Sequence, residues 1–545
     1  MKGVVSTAAV LLATIATTLS AQPTSSASAP VTATASVPAP VETAAPAPPP
    51  VRATLPAPSP ATNAAPAPPT APASMPTTAP APPGSLAIRE GDVIVFLGDE
   101  LSETPDARRG GRPTFPQLVE TFLTVRYPEL HRSPSADGPR PVRYISVGWA
   151  GDTAARALLR LERDVLIHKP TVVVVCLGIN DAGYLSFVPA RLEAMQRDLT
   201  KIVQKCHEAG ARVWLMSPPC VEEERGKKAR VVRDGQRAVA DLEVIRYNET
   251  LAKYAAAMRE IAAANPPAGF ADWFAEASAA SRQVRAYPGE DWLTTDGRTL
   301  TFHGTTIGAT TLLRAWGAEP IRALLELDWT DGTARISTHQ GQSSTMLVQI
   351  ADDEKRILSV DNLPLPWPLP SEAGVGLQSG WKAADLCQII LRVPDPPEQG
   401  ITLVQETDDH GATAQWPITA AQLQAGFNLV TAEPLRSPKG VRDLYNLIVT
   451  KNRTRDTIWR RLELSAPQEP ELTDGHRQLI EAWKAYVAGY ERIIYRYPKT
   501  FSARFTLSET TESEHLPTSQ PTRLPRVVPS SHNPIPATLP AAVHP

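Results

Sequence analysis

The chain has 545 residues, enough for two or three domains of roughly 100–200 residues each, so a sizeable core can be buried. Its net charge of −3 and pI near 6.4 leave no basic footprint for nucleic acid and no polybasic membrane patch. The departure is in the 55 prolines: 19 fall in residues 21–83 and 8 in 517–545, which places the folded body at roughly 84–510.

Residues 1–21 read as an export signal, with Lys2 at the start, an apolar run from Val4 to Leu19, and Ser20-Ala21 before the composition turns polar. The run is short for a membrane-spanning helix, so no stable span is expected after cleavage, and the protein is expected to be exported, to the periplasm, cell surface or exterior. Residues 22–83 are Ala/Pro/Thr/Ser with Glu42 and Arg52 as the only charges, too polar to offset their ordering entropy, and predict a semi-extended tether. Residues 511–545 repeat that character. The four cysteines, Cys176, Cys206, Cys220 and Cys387, are too few and too scattered for a disulfide scaffold or a CxxC zinc site, although a Cys206–Cys220 bridge is open in an oxidising compartment.

From Gly91 to about Gly317, short β-branched runs alternate with longer helical ones, the pattern of a parallel sheet with crossover helices. Strands are predicted at Val93–Leu97, Val142–Val147, Thr171–Leu177 and Arg212–Met216. Helices are predicted at Phe115–Arg126, Thr153–His168, Pro189–Ala209, Leu242–Ala263 and Thr305–Trp316. In such sheets the chemistry sits in the loops at the carboxyl ends of the strands. After about Asp328 the pattern becomes strand-like at Thr345–Ile350, Arg356–Val360, Leu386–Val393 and Ile401–Gln405, followed by helices at Val441–Leu462 and Arg477–Tyr497. The second helix carries Ile480, Trp483, Tyr486, Val487, Tyr490 and Ile493 at spacings of three and four, a stripe expected to pack into a core. The domains are therefore expected at 84–325 (α/β) and 326–510 (β-rich, then two helices).

The strand-end loops read Gly98-Asp99-Glu100-Leu101, Gly148-Trp149-Ala150-Gly151-Asp152 and Gly178-Ile179-Asn180-Asp181, and an Asp296-Gly297 turn precedes the closing helix. In this order and spacing they resemble the SGNH (GDSL-type) esterase and acylhydrolase family, across about residues 90–317. The resemblance implies a three-layer α/β/α, flavodoxin-like fold and a serine nucleophile directly after Gly98-Asp99. It further implies an oxyanion hole from Gly148 and Asn180, and a final Asp-x-x-His block supplying acid and base. Acyl transfer needs such parts because a hydroxyl requires a base to attack, and the tetrahedral intermediate requires donors aimed at its oxygen.

Two positions depart from the family pattern. Glu100 stands where the serine belongs, and Asp296-Gly297-Arg298-Thr299 puts Thr299 where the histidine belongs. Only the acid Asp296 and the donors Gly148 and Asn180 remain. A carboxylate at position 100 would oppose an oxyanion ~4 Å away by about 4 kcal/mol at an effective dielectric near 20, roughly a thousandfold in rate. The leading expectation is a silenced site in which the donors hold Glu100 itself, on an exported protein that binds an acylated carbohydrate, a small ester or a partner. The competing expectation is an active ester hydrolase using a displaced pair, Ser102 and His303, or Glu100 as a base for water. No cofactor or resident metal is expected, although Asp99, Glu100, Asp181 and His303 could converge as metal ligands. Asp99 and Asp181 are read first as loop braces, Trp149 as a sugar platform or a cleft wall, and Glu222 to Lys228 as a solvated loop over the site mouth. The sequence leaves the oligomeric state open.

Overall fold

The computed structural model describes residues 86–104, 114–132, 140–222, 232–233, 236–237, 247–286, 293–339, 341, 343–347, 349–350, 355–367, 384–405, 415–431, 439–464 and 470–510. The signal, tether and tail expectations lie outside these residues. Among the described residues no helix is long and apolar enough to cross a membrane.

The first sheet contains β1 (Val93–Gly98), β2 (Arg143–Ser146), β3 (Val172–Cys176), β4 (Arg212–Met216) and β5 (Gly269–Ala271), in the order β2-β1-β3-β4-β5 with every pairing parallel. Its central strand β3 is Val-Val-Val-Val-Cys, buried throughout, as a strand covered on both faces must be. The crossover helices are α1 (Phe115–Arg126), α2 (Ala154–Asp164), α3 (Pro189–Glu208), α4 (Tyr247–Ala264), α5 (Trp273–Ala286) and α6 (Phe302–Ala315). Thr153 caps α2 by accepting from Arg156 N–H, and Thr301 caps α6 by accepting from Gly304 N–H. The order reverses direction at β1 and β3, so a crevice for chemistry opens beside their carboxyl ends.

The C-terminal part holds two more five-stranded sheets. One contains β6 (Ile321–Asp328), β7 (Thr333–Thr338), β8 (Ser343–Leu347), β11 (Cys387–Arg392) and β14 (Phe427–Asn428), ordered β8-β7-β6-β11-β14. The other contains β9 (Gln349–Ile350), β10 (Lys355–Pro364), β12 (Ile401–Gln405), β13 (Gln415–Ile418) and β15 (Thr500–Glu509), ordered β9-β10-β15-β12-β13 and antiparallel throughout. A short helix α7 (Ala420–Ala425) and two long ones, α8 (Lys439–Ile458) and α9 (Pro470–Arg496), complete it, with a π-helical turn at Trp459–Glu463 ending α8.

Two sequence expectations need correction. The last strand β15 pairs with both β10 and β12, so the second module closes only after the helices that were expected to trail it. The α9 stripe is not all core: Val487 is 5% exposed, but Tyr486 and Ile493 are 54% and 52% exposed, because the neighbouring segments cover a narrower arc of the helix than the stripe spans.

Helix α1 is buried from Phe115 to Val125, with the sheet on one side and α8 on the other. That encloses Glu120, whose carboxylate accepts from Lys451 Nζ and, at 3.0 Å, from Asn452 Nδ2. Both members of this ion pair are nearly solvent-free, 2% exposed for Lys451 and 3% for Glu120. Nearby, His131 is buried between the Tyr127 carbonyl (3.0 Å) and the Tyr144 hydroxyl (2.8 Å), and burial pushes its imidazole down from 6.5 to about 3, helped by the Lys499 and Lys451 charges.

Two measurements follow from these buried groups. Lys451→Met leaves Glu120 charged and unpaired and should lower unfolding free energy by about 3–5 kcal/mol in a denaturant titration, while Glu120→Leu with Lys451→Met should recover most of the loss. Between pH 6.5 and about 3 the unfolded chain binds a proton at His131 that the folded chain does not, so stability falls as pH falls. Acidification from pH 7 to 5 should remove about 2 kcal/mol through this group, and the slope of stability against pH should flatten by that amount in His131→Gln.

Candidate active site

The loops after β1, β2 and β3 meet around one carboxylate. Glu100, half-buried just past the end of β1, accepts two hydrogen bonds at its Oε2: one from the Gly151 N–H at 2.9 Å and one from the Asn180 Nδ2 amide at 2.9 Å. The acid is thus seated between a backbone donor from one loop and a neutral side-chain donor from another, the arrangement that stabilises a negatively charged oxygen.

The backbone donor is Gly151 rather than the expected Gly148. Val147 and Trp149 both donate to β1, to Phe96 O and Gly98 O at 2.9 Å each, so the N–H of the intervening Gly148 points away from β1. A Cβ at Gly148 would lie 2.3 Å from Glu103 N, so that glycine is needed for the close approach of the two loops, and its carbonyl accepts from Arg460 Nη2 at 2.6 Å. The chain turns only at Gly151, whose φ of +78° suits glycine and brings its N–H to Glu100. The signal in the sequence was the Gly151-Asp152-Thr153 run, a left-handed turn directly before a helix cap.

Asp181 ties the same loops together, accepting from Ala154 N–H at 2.8 Å and Gly178 N–H at 3.1 Å. Burial pushes its carboxyl up to about 6 against those bonds. Asp99 accepts from Leu101 N–H at 3.0 Å and is fully buried. Burial first, and then the Glu100 charge, raise its carboxyl well above the usual range. Both aspartates are loop braces. Among the described residues no cluster of three or more His, Cys, Asp or Glu is placed to hold a metal ion, and Cys206 and Cys220 are separate buried thiols.

The displaced pair is not assembled. Ser102 is fully buried, and its side chain packs under Gly98 and beside the buried Cys176 thiol rather than facing the crevice. His303, 4% exposed, is the second residue of α6. Moving two positions around the elbow has turned Ser102 inward, where Ser146 Oγ donates to its carbonyl. The final block is likewise self-satisfied. Asp296 accepts from Arg298 N–H (3.0 Å), Thr299 N–H (2.6 Å) and the exposed Thr299 hydroxyl (2.9 Å). Burial works against ionisation of Asp296, but these bonds outweigh it and hold its carboxyl below the ordinary value. A threonine hydroxyl donating to the acid leaves no basic nitrogen to take a proton. Arg298 lies 3.5 Å over the Tyr184 ring, and Tyr184, whose phenol is pushed up by burial and by the Glu100 charge, forms the link between the last block and the carboxylate.

Glu222 corrects another expectation. It is fully buried rather than solvated, accepting from Thr294 N–H (2.8 Å), Thr294 Oγ1 (2.6 Å), Leu293 N–H (3.2 Å) and Ser281 Oγ (3.3 Å). Its own N–H donates to Gly297 O at 2.9 Å, so it clamps the loop that carries Asp296. Residues 223–228 of that run lie outside the described residues. Trp149 meets Trp459 edge-on at 5.8 Å with the Arg460 guanidinium 4.4 Å from its ring centre, which makes it a wall held from both sides.

Asn180→Asp tests the seating of Glu100, since it would set a second carboxylate about 3–4 Å from the first, a repulsion of about 4 kcal/mol at an effective dielectric near 20. Thermal unfolding should show a large loss at pH 7 that shrinks on acidification to pH 4, whereas Asn180→Ala should show a smaller loss without that recovery.

Residues 96–310 match the model of the GDSL-like Lipase/Acylhydrolase family. An acetylxylan esterase from Geobacillus stearothermophilus is 27% identical over 150 residues, 25% of this chain and 64% of that protein. Esterase TesA from Pseudomonas aeruginosa is 37% identical over 81 residues, 15% of this chain and 38% of that protein. The chain thus spans less than two thirds of either relative. Among solved structures, a gut microbial diltiazem-metabolizing enzyme superposes with a TM-score of 0.53 at 19% identity, covering 78% of this chain and 99% of that one, so the likeness of fold extends past the α/β domain. Residues 96–310, with their parallel sheet and strand-end loops, therefore match the GDSL-like lipase/acylhydrolase family model and have an SGNH fold.

Proposed function

We propose that this is an exported, catalytically silent member of the family, which uses its retained crevice to bind an acylated carbohydrate or a similar small ester rather than to hydrolyse it. The observation that carries the silencing is the single Glu100 oxygen that takes both the Gly151 N–H and the Asn180 amide. These donors would have to point at a substrate oxyanion for acyl transfer, and they are already satisfied by a charge of the same sign. No proton acceptor replaces the missing histidine, because the Thr299 hydroxyl donates to Asp296. The carbohydrate ester as ligand rests on the family and on the acetylxylan esterase among the relatives. Export rests on the composition of residues 1–83.

The test is turnover of a small activated acetate ester by the purified chain. The wild type should be indistinguishable from buffer, and Glu100→Ser combined with Thr299→His should gain measurable hydrolysis while each single replacement stays near background, since a nucleophile and its base act as a unit. Wild-type turnover that disappears in Ser102→Ala would reverse the proposal. Calorimetric titration with acetylated xylo-oligosaccharide should show binding to the wild type, and equal binding of the deacetylated sugar would remove the acyl group from the proposed ligand.

A further inference from the structure

A second cavity lies away from the Glu100 loops, between the β2 edge of the parallel sheet and the C-terminal helices α8 and α9. Its volume is about 740 Å³, within the roughly 300–1,000 Å³ of sites that hold small organic ligands. The floor is apolar: Ile145, Val147, Ile458 and Val487 are each 5% exposed or less. The mouth is open, with Ile167 at 66% exposure and the Arg163 and Lys484 side chains at 58% and 51%.

The charges divide into engaged and available groups. Arg163 at the mouth already pairs with Asp164, and Lys484 with Glu463. Deeper in, Arg455 donates to the Tyr144 carbonyl at 3.2 Å, and neither it nor Arg143 has a carboxylate within ion-pair distance among the described residues. Burial lowers the Arg455 guanidinium, partly offset by the Glu491 charge nearby. The lining sets four cationic side chains, Arg143, Arg163, Arg455 and Lys484, against two carboxylates, Glu463 and Glu491, so it favours an anion. The imidazole of His168, also on the wall, is pushed down to about 4 by burial and by Arg455, and adds no charge near neutrality.

We propose that this cavity binds an amphipathic carboxylate, its head held by Arg143 and Arg455 and its apolar body laid on the Ile145, Ile458 and Val487 floor. A wall with more cations than carboxylates favours an anionic head, and a guanidinium offers paired N–H groups to a carboxylate. The apolar floor favours a ligand with an apolar body over a free inorganic ion. A flat aromatic ligand fits less well, since the Trp459 ring at the wall is already covered by Trp149 and Arg460. This site is separate from the Glu100 crevice and does not rest on the reading of it.

Titration of the full chain with sodium decanoate at pH 7, followed by calorimetry, tests the assignment. Saturable one-site binding is expected, weakened about tenfold or more in Arg143→Ala and abolished in Val487→Trp, which fills the floor without touching a charge. Decanol should bind at least tenfold more weakly than decanoate. The proposal is overturned if the wild type shows no saturable binding, if decanol binds as tightly as decanoate, or if both substitutions leave binding unchanged, which would place the fatty acid elsewhere.

Discussion

A carboxylate withdrawn from bulk water has to be met by donors, and that requirement at Glu100 organises the crevice end of the α/β domain. Its Oε2 takes donors from the loops after β2 and β3. Asp181 ties those two loops to each other, and burial pushes the Asp99 carboxyl beside Glu100 well above the usual range. In an acyl-transfer site donors of this kind are aimed at the oxygen on which charge develops. Here the Gly151 and Asn180 donors hold the Glu100 carboxylate and so tie the loop cluster together.

The C-terminal part holds this cluster directly. Arg460, just past the end of α8, donates to the Gly148 carbonyl, pairs with Glu103 of the β1 elbow at 3.1 Å and lies over Trp149. Trp367, beyond β10, donates its indole N–H to Leu118 O of α1 at 2.9 Å. The Lys451–Glu120 pair is closed to solvent. A buried pair of this kind adds little net stability over an apolar contact but penalises misplacement heavily, so it fixes where α8 sits on α1 and therefore where Arg460 reaches the loops. The cavity between β2 and α9 follows from the same docking: α8 holds α1 through Glu120 and reaches the Tyr144 carbonyl of β2 through Arg455, while α9 forms the far wall of the cavity.

Much of the α/β domain was legible along the chain. Phe115–Arg126 coincides with α1 to the residue, and β3 follows from an unbroken β-branched run, because local periodicity and burial on both faces act on the same residues. The short edge strand β5 and the closing strand β15 were not legible, since β5 has three residues and β15 is a strand only because β10 and β12 flank it. At the site, Glu100, Asn180 and the Asp296–Thr299 turn were identified from residue type and order. Gly151, Glu222 and Arg460 were not, because each acts through the direction of a backbone N–H, or through a partner between roughly 70 and 360 positions away in the chain.

Sequence by itself determined which chemical groups stand in the strand-end loops: no rearrangement turns Glu100 into an alcohol or Thr299 into an imidazole, and side-chain identity is covalent. What the loop donors hold was settled only by tertiary structure. Whether Ser102 faces the crevice or the core, which glycine offers its N–H, and whether Arg143 and Arg455 converge on one cavity all depend on backbone directions set by packing between segments far apart in the chain, and packing is a property of the folded whole rather than of any local run of residues.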